Sequence, residues 1–207
     1  MATALAACVL VCGPVAAEDT ATPSDPHAHH RMMAANSEVH RTVVHYTVPD
    51  VALTRADGSA VRLAAEINDG RPVVLTFIYT SCTTVCPLLS HTFSQLQREL
   101  GDNAERVHLV SISIDPEQDT PARLLEHART FHAGPDWQLY TGSVTASETA
   151  QRAFDVYRGN KMNHTPTILI RSAPGADWVR LDGFSTADQL LQELTDAAHP
   201  RVAQVTP

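Results

Sequence analysis

Beyond about residue 48 the chain is a succession of short segments with clear hydrophobic periods. Leu53 and the Val61/Leu63 pair sit in two short alternating runs on either side of Arg55-Ala56-Asp57-Gly58, a turn signal, so an N-terminal β-hairpin is expected. Residues 73–79 are almost continuously β-branched or aromatic, the pattern of a strand buried on both faces in the middle of a sheet. Pro87 suits a first helical position, and Leu89, Phe93, Leu96 and Leu100 follow at spacings of four, three and four before Gly101, which predicts an amphipathic helix. Residues 107–114 read as the next strand, closed by Asp115-Pro116, and Thr120-Pro121 opens a helix with Leu124, Ala128 and Phe131 on its apolar side. A strand at 137–140 follows. Thr145 and Glu148 form a capping box, which predicts a helix burying Ala150, Phe154 and Tyr157. Strands at 167–170 and 178–182 flank a turn at Pro174-Gly175, and a last helix starts near Thr186, with Gln189 at the capping-box position and Leu190, Leu191 and Leu194 facing inward.

Strands and helices therefore alternate, which predicts an α/β domain of thioredoxin-like fold: a central mixed sheet flanked by helices, with the hairpin at its N-terminal side. Such a scaffold hosts many chemistries, so function has to be argued from side chains.

The region before the domain reads differently. Residues 1–17 carry no Asp, Glu, Lys or Arg, and an apolar stretch there is followed by Val15-Ala16-Ala17, small residues that suit signal peptidase. Its length falls short of the roughly 20 residues a spanning helix needs. A secretory leader at 1–17 is expected, with Leu5-Ala6-Ala7-Cys8 also resembling a lipoprotein box. Residues 18–39 have no apolar period and read as a flexible tether containing His27, His29, His30, Met32 and Met33, with His40 and His45 beyond; its imidazoles and thioethers are candidate copper collectors or incidental polar residues. The domain is placed at 40–207. Export implies a periplasmic or other extracytoplasmic location, with membrane anchoring or lipidation as alternatives to a free mature chain.

Charge narrows the partners. Fifteen Lys and Arg against 23 Asp and Glu give −8, which removes the attraction that a phosphate backbone supplies, so nucleic acid is excluded as the expected partner. Loss of the leader would take Cys8 and Cys12 with it and leave two cysteines, Cys82 and Cys86, in a compartment where thiols oxidise unless they are kept reduced.

Those two stand in Tyr79-Thr80-Ser81-Cys82-Thr83-Thr84-Val85-Cys86-Pro87, at the end of the expected central strand and the start of a helix. Unpaired N–H groups and the helix dipole favour a thiolate there, so the pair is a candidate redox couple or soft-metal ligand set; a plain disulfide closing so short a loop would add little stability. His164 lies in Asn163-His164-Thr165-Pro166, before a strand that a thioredoxin-like fold would place opposite the cysteine loop. It reads as a metal ligand or as a loop histidine bonded to backbone. Two thiolates and an imidazole suit copper: sulfur for Cu(I), the imidazole for Cu(II).

With these motifs, the chain resembles the SCO/SenC family over roughly residues 48–198. The most specific parts are the Tyr79–Pro87 motif, the strand end Ser111-Ile112-Ser113-Ile114-Asp115-Pro116-Glu117 with Asp119-Thr120-Pro121, and Asn163-His164-Thr165. The resemblance implies a copper site made by Cys82, Cys86 and His164 with Asp115 near it, although Asp115 also reads as a plain strand-ending residue before Pro116. It implies a copper metallochaperone whose partners are a cytochrome c oxidase subunit carrying the copper A centre, or another copper client, and a thiol reductant protein. The chain departs from the family in Thr83-Thr84-Val85 between the cysteines and in Thr165-Pro166-Thr167, which looks like a thioredoxin cis-proline turn; a cis Thr165–Pro166 bond is predicted. That turn would favour the alternative of a thiol–disulfide reductase that uses Cys82 and Cys86 to maintain client cysteines.

Overall fold

The computed structural model describes residues 38–198. The expected leader at 1–17 and the tether up to residue 37, with Cys8, Cys12, His27, His29, His30, Met32 and Met33, lie outside the described residues. The elements run β1 (His40–Val44), β2 (Ala52–Arg55), β3 (Ala60–Arg62), α1 (Leu63–Ile67), β4 (Val73–Ile78), α2 (Val85–Leu100), β5 (His108–Ser113), α3 (Pro121–Thr130), β6 (Trp137–Gly142), α4 (Val144–Ala153), β7 (Thr167–Arg171), β8 (Trp178–Asp182) and α5 (Ala187–Ala198). The strands form one mixed sheet in the order β1-β8-β7-β4-β5-β6-β2-β3. Parallel pairing joins β4 to β5 and β5 to β6, and the remaining neighbours are antiparallel.

β4 is buried at every position because helices cover both faces of the sheet. Val74 and Ile78 point to the side on which Phe93, Leu96, Leu124 and Leu190 pack, and Val73, Leu75 and Phe77 point to the side of Leu63, Ile67, Ala150, Phe154 and Trp178. Each such side chain contributes roughly 1.5–3 kcal/mol on burial, so the central strand is pinned from both directions and its carboxyl end is a rigid platform. α2 ends at Gly101, whose φ of 52° is a conformation other residues avoid.

The hairpin, the central strand and the alternation beyond it are present as the hydrophobic pattern predicts. Thr186 and Gln189 form the expected capping box, with N–H to side-chain bonds of 2.9 and 3.3 Å in the two directions. Four details differ. β1 has no counterpart among the expected elements; with one face open and few apolar residues it has no hydrophobic alternation, and it is held by its ladder to β8. α2 starts at Val85, two residues before Pro87, where a missing N–H within the first turn costs nothing. The cap of α4 is Ser143, whose Oγ accepts the Ala146 N–H at 3.1 Å, so Thr145 falls inside the first turn and Glu148 pairs along the helix with Arg152. The same helix ends at Ala153 because Asp155 turns left-handed at φ 52°; Tyr157 therefore leaves the helix and lies half-buried under the Arg152 guanidinium, 3.6 Å from the ring centroid.

Among the described residues every peptide bond is trans, so the predicted cis Thr165–Pro166 bond is absent. A 3-10 turn at Lys161–Asn163 reverses the chain before the proline, and the trans form, ordinarily favoured by about 0.5–1 kcal/mol, carries it directly into β7. The argument that a cis turn lent to the reductase alternative falls with it. Among the described residues no helix is long and apolar enough to cross a membrane.

Candidate metal centre

β4 ends at Ile78 and α2 begins at Val85, so a six-residue loop carries Cys82 while Cys86 is the second residue of the helix. The loop is tied down by Asp119, which is fully buried. The Thr80 N–H donates to both of its carboxyl oxygens at 3.2 Å, the Thr80 hydroxyl donates at 2.5 Å and the Ser113 hydroxyl at 2.6 Å.

Thr84 precedes α2 but provides no side-chain cap. The Cys86 N–H instead donates to Cys82 Sγ at 3.4 Å, so a sulfur takes the acceptor position that an N-cap oxygen usually fills. The Tyr79 N–H donates to Cys86 Sγ at the same distance. Both thiols are buried and free.

Their environments differ sharply. Burial pushes the Cys82 thiol up, but the backbone N–H groups of Cys86 and Thr84, the Cys86 thiol and the Tyr79 hydroxyl all favour its thiolate and outweigh that, bringing it down to about 7. Cys86 lies deeper, and burial with the neighbouring Cys82 charge raises it far above the ordinary thiol range, against the single Tyr79 N–H. Tyr79 is pushed up to about 12 by burial and by its bond to Cys82. Near neutral pH the pair thus holds one proton readily lost and one held.

His164 follows the 3-10 turn, and its Nε2 lies 2.9 Å from the Phe77 carbonyl oxygen. A carbonyl can only accept, so Nε2 carries the hydrogen and Nδ1 keeps the lone pair. Burial lowers the imidazole below its ordinary value, opposed by the Phe77 carbonyl and helped by Arg158, so the ring is neutral at neutral pH and no proton competes for Nδ1. The bond to backbone is one of the two arrangements the sequence left open. The Tyr79 ring contacts the imidazole edge-on at a centroid distance of 6.5 Å, while its backbone N–H bonds Cys86 Sγ at 3.4 Å. Tyr79 thus touches both the thiol pair and His164. Among the described residues no three His, Cys, Asp or Glu side chains are gathered closely enough to hold a metal.

Asp115 both ends its strand, with its N–H on Ser113 Oγ, and forms an ion pair of 2.5 Å with Lys161. These two, with His164, Glu117, Tyr157 and Asn160, line a cleft of about 390 Å³. Cys82 opens on a different groove, walled by Thr80, Ser81, Pro87, Arg123 and Glu126. His45, grouped with the tether histidines, bonds Asp177 at 3.0 Å, and His40 is the first residue of β1. The sequence reading missed Tyr79 as a bridge and Lys161 as the partner of Asp115. Both are ordinary residues in their local sequence, and only the return of the chain at residues 158–164 gives them a role.

Known proteins resemble this chain in sequence and fold. Residues 42–199 match the family described as SCO1/SenC. The SCO1 protein homolog of Bacillus subtilis (strain 168) is 32% identical over 100 residues, covering 48% of this chain and 51% of that protein. The chain spans about half the length of the curated relatives it matches. Among solved structures, ScoI of Bradyrhizobium japonicum with copper bound is 26% identical at a TM-score of 0.60, covering 71% of this chain and 96% of the other. A SCO1/SenC family lipoprotein from Bacillus anthracis str. Ames, 20% identical at a TM-score of 0.66 over 76% of this chain and 98% of the other, shares the fold. With more than half of its length matched by the family, the chain belongs to the SCO1/SenC family.

Proposed function

We propose that the protein is an extracytoplasmic copper metallochaperone that holds copper at Cys82, Cys86 and His164 and passes it by ligand exchange to a copper centre of cytochrome c oxidase. The observation that carries this reading is the pair of free thiols at the helix start, unequally placed, with the Cys86 N–H donating to Cys82 Sγ at 3.4 Å and the Cys86 side chain fully buried. A neutral imidazole with a free Nδ1 on the far side of Tyr79, and the copper held by the Bradyrhizobium japonicum relative, support it. Loading replaces the thiol protons by metal, and the segment between α4 and β7 brings His164 to the sulfurs. Two thiolates satisfy Cu(I), whereas Cu(II) needs the harder nitrogen. His164→Ala should therefore weaken Cu(II) binding by at least ~100-fold, more than the loss of a supporting outer group of a metal site usually costs. The thermal unfolding midpoint of the metal-free protein should fall by only a few degrees, because the Phe77 carbonyl loses one hydrogen bond, about 1 kcal/mol. The check is a competition titration with a chelator of known affinity; wild-type Cu(II) affinity in this variant overturns the ligand set.

The second reading is a thiol–disulfide reductase, and it draws on the same inequality: Cys82 opens on a groove as the attacking thiolate and Cys86 lies behind it as the resolving thiol. Cys82 would attack a client disulfide, Cys86 would release the client as a dithiol, and a thiol reductant protein would reduce the resulting Cys82–Cys86 disulfide. Catalytic turnover of a disulfide substrate that requires both cysteines and survives His164→Ala would favour it.

A further inference from the structure

The densest run of metal-donor side chains in the sequence lies apart from the site. Five of the seven residues 27–33 are His27, His29, His30, Met32 and Met33, a set of imidazoles and thioethers that suits Cu(I). They lie outside the described residues, but the point where their chain enters the domain does not. β1 begins at His40, paired with Asp182 at the end of β8, and Asp182 is paired in turn with Thr167 at the start of β7. The chain therefore enters at the end of the sheet where the His164 turn runs into β7. Contact there is close. Gly183 donates its N–H to the Pro166 carbonyl at 3.0 Å, and a Cβ on Gly183, whose φ is 121°, would lie 2.9 Å from the Glu38 carbonyl oxygen. Residues 38 and 39 thus run against the loop bonded to Pro166, two residues after His164. Val39 also packs on the hydrophobic cluster that includes Tyr79, Cys82 and Cys86.

Three strand spacings of ~4.8 Å separate β1 from β4, so roughly 15 Å lies between this entry and the strand that leads into Cys82. Met33 stands five residues before Glu38 and His27 eleven, and an extended chain covers up to about 3.3–3.6 Å per residue. The whole group is within reach of the cysteine pair of its own molecule. We infer that residues 27–33 collect Cu(I) and pass it within the molecule to the site of Cys82, Cys86 and His164. The inference rests on the copper reading above and adds the group from which that site is loaded. Neutral donors hold Cu(I) more loosely than two thiolates do, so transfer runs downhill. The bonds to the collecting imidazoles and thioethers break, those to the site's sulfurs and imidazole form, the thiol protons pass to solvent, and no electron moves. The covalent link holds the collected metal near its own site at an effective concentration on the order of millimolar, so loading needs no second encounter.

The test uses the full chain with Cys8→Ser and Cys12→Ser, which leaves Cys82 and Cys86 as its cysteines. A second form adds His27→Ala, His29→Ala, His30→Ala, Met32→Leu and Met33→Leu, and a third instead adds Cys82→Ser and Cys86→Ser. Cu(I) is supplied anaerobically as its acetonitrile complex, and loading of the cysteine pair is followed by the ultraviolet absorption of the Cu(I)–thiolate bonds. The second form should load ~10-fold more slowly than the first and reach the same affinity in a titration against a strong Cu(I) chelator. Equilibrium dialysis without chelator should leave two copper ions on the first form and one on each of the others. Equal loading rates in the first two forms overturn the transfer, and equal copper counts in them, or a third form without copper, overturn the collecting group; each leaves the copper reading standing. A third form that matches the first in the chelator titration overturns the copper reading and the transfer with it.

Discussion

Asp119→Ala should destabilise the metal-free, reduced protein by about 3–4 kcal/mol, a fall in Tm on the order of 10 °C. The carboxyl group is fully buried and is the acceptor for the Thr80 N–H, the Thr80 hydroxyl and the Ser113 hydroxyl. Its removal strands these donors away from water, and each unsatisfied buried donor costs roughly 1–3 kcal/mol, with some of the sum recovered as water enters. Asp119→Asn keeps one accepting oxygen and should cost less. Because Thr80 opens the loop that carries Cys82, the same variant should also loosen the sulfur acceptor at the helix start. Guanidinium unfolding measures the first effect, and a loss below about 1 kcal/mol would show that the loop is held by something else.

Phe154→Ala should cost about 3–5 kcal/mol. The ring is fully buried among Tyr46, Phe77 and Trp178, with centroid distances of 5.6, 6.0 and 5.1 Å. Truncation loses the transfer energy of the ring and leaves a cavity between β4 and β8 that rigid strands cannot close. Phe154→Leu refills part of that space and should cost clearly less. The position also matters for chemistry: Phe77, which packs on this ring, supplies the carbonyl that holds His164. Phe154→Ala should therefore weaken Cu(II) more than Cu(I). An unfolding midpoint close to the wild type would contradict the packing argument.

How much of this was legible in the sequence depends on the range of the interaction. The Cys82–Cys86 loop was readable because its signals are local: a saturated β-branched run gives the strand, and Pro87 with the Leu89–Leu100 spacing gives the helix. β1 left no such trace, since an edge strand needs only a neighbour's ladder, and Ser143 outcompeted Thr145 because it stands one step before the first helical residue. The site was legible in its chemical groups more than in its assembly. His164 could be placed near the cysteine loop through the fold, yet its bond to Phe77 depends on a contact 87 positions away. Lys161 and Asp115 are 46 positions apart and only the fold pairs them. The motif residue Asp119 was visible as part of a strand-to-helix junction, but its hold on Thr80 was not. The cis-proline expectation failed because a three-residue resemblance around Pro166 says nothing of the 3-10 turn that precedes it.

The most direct measurement is an anaerobic Cu(I) titration of the reduced protein against a competing chelator, with wild type, Cys82→Ser and Cys86→Ser side by side. The account predicts tight one-to-one binding by the wild type and a loss of at least ~100-fold in each variant, since either serine leaves a single soft thiolate at the helix start. Cu(I) binding of wild-type strength in either variant would contradict it.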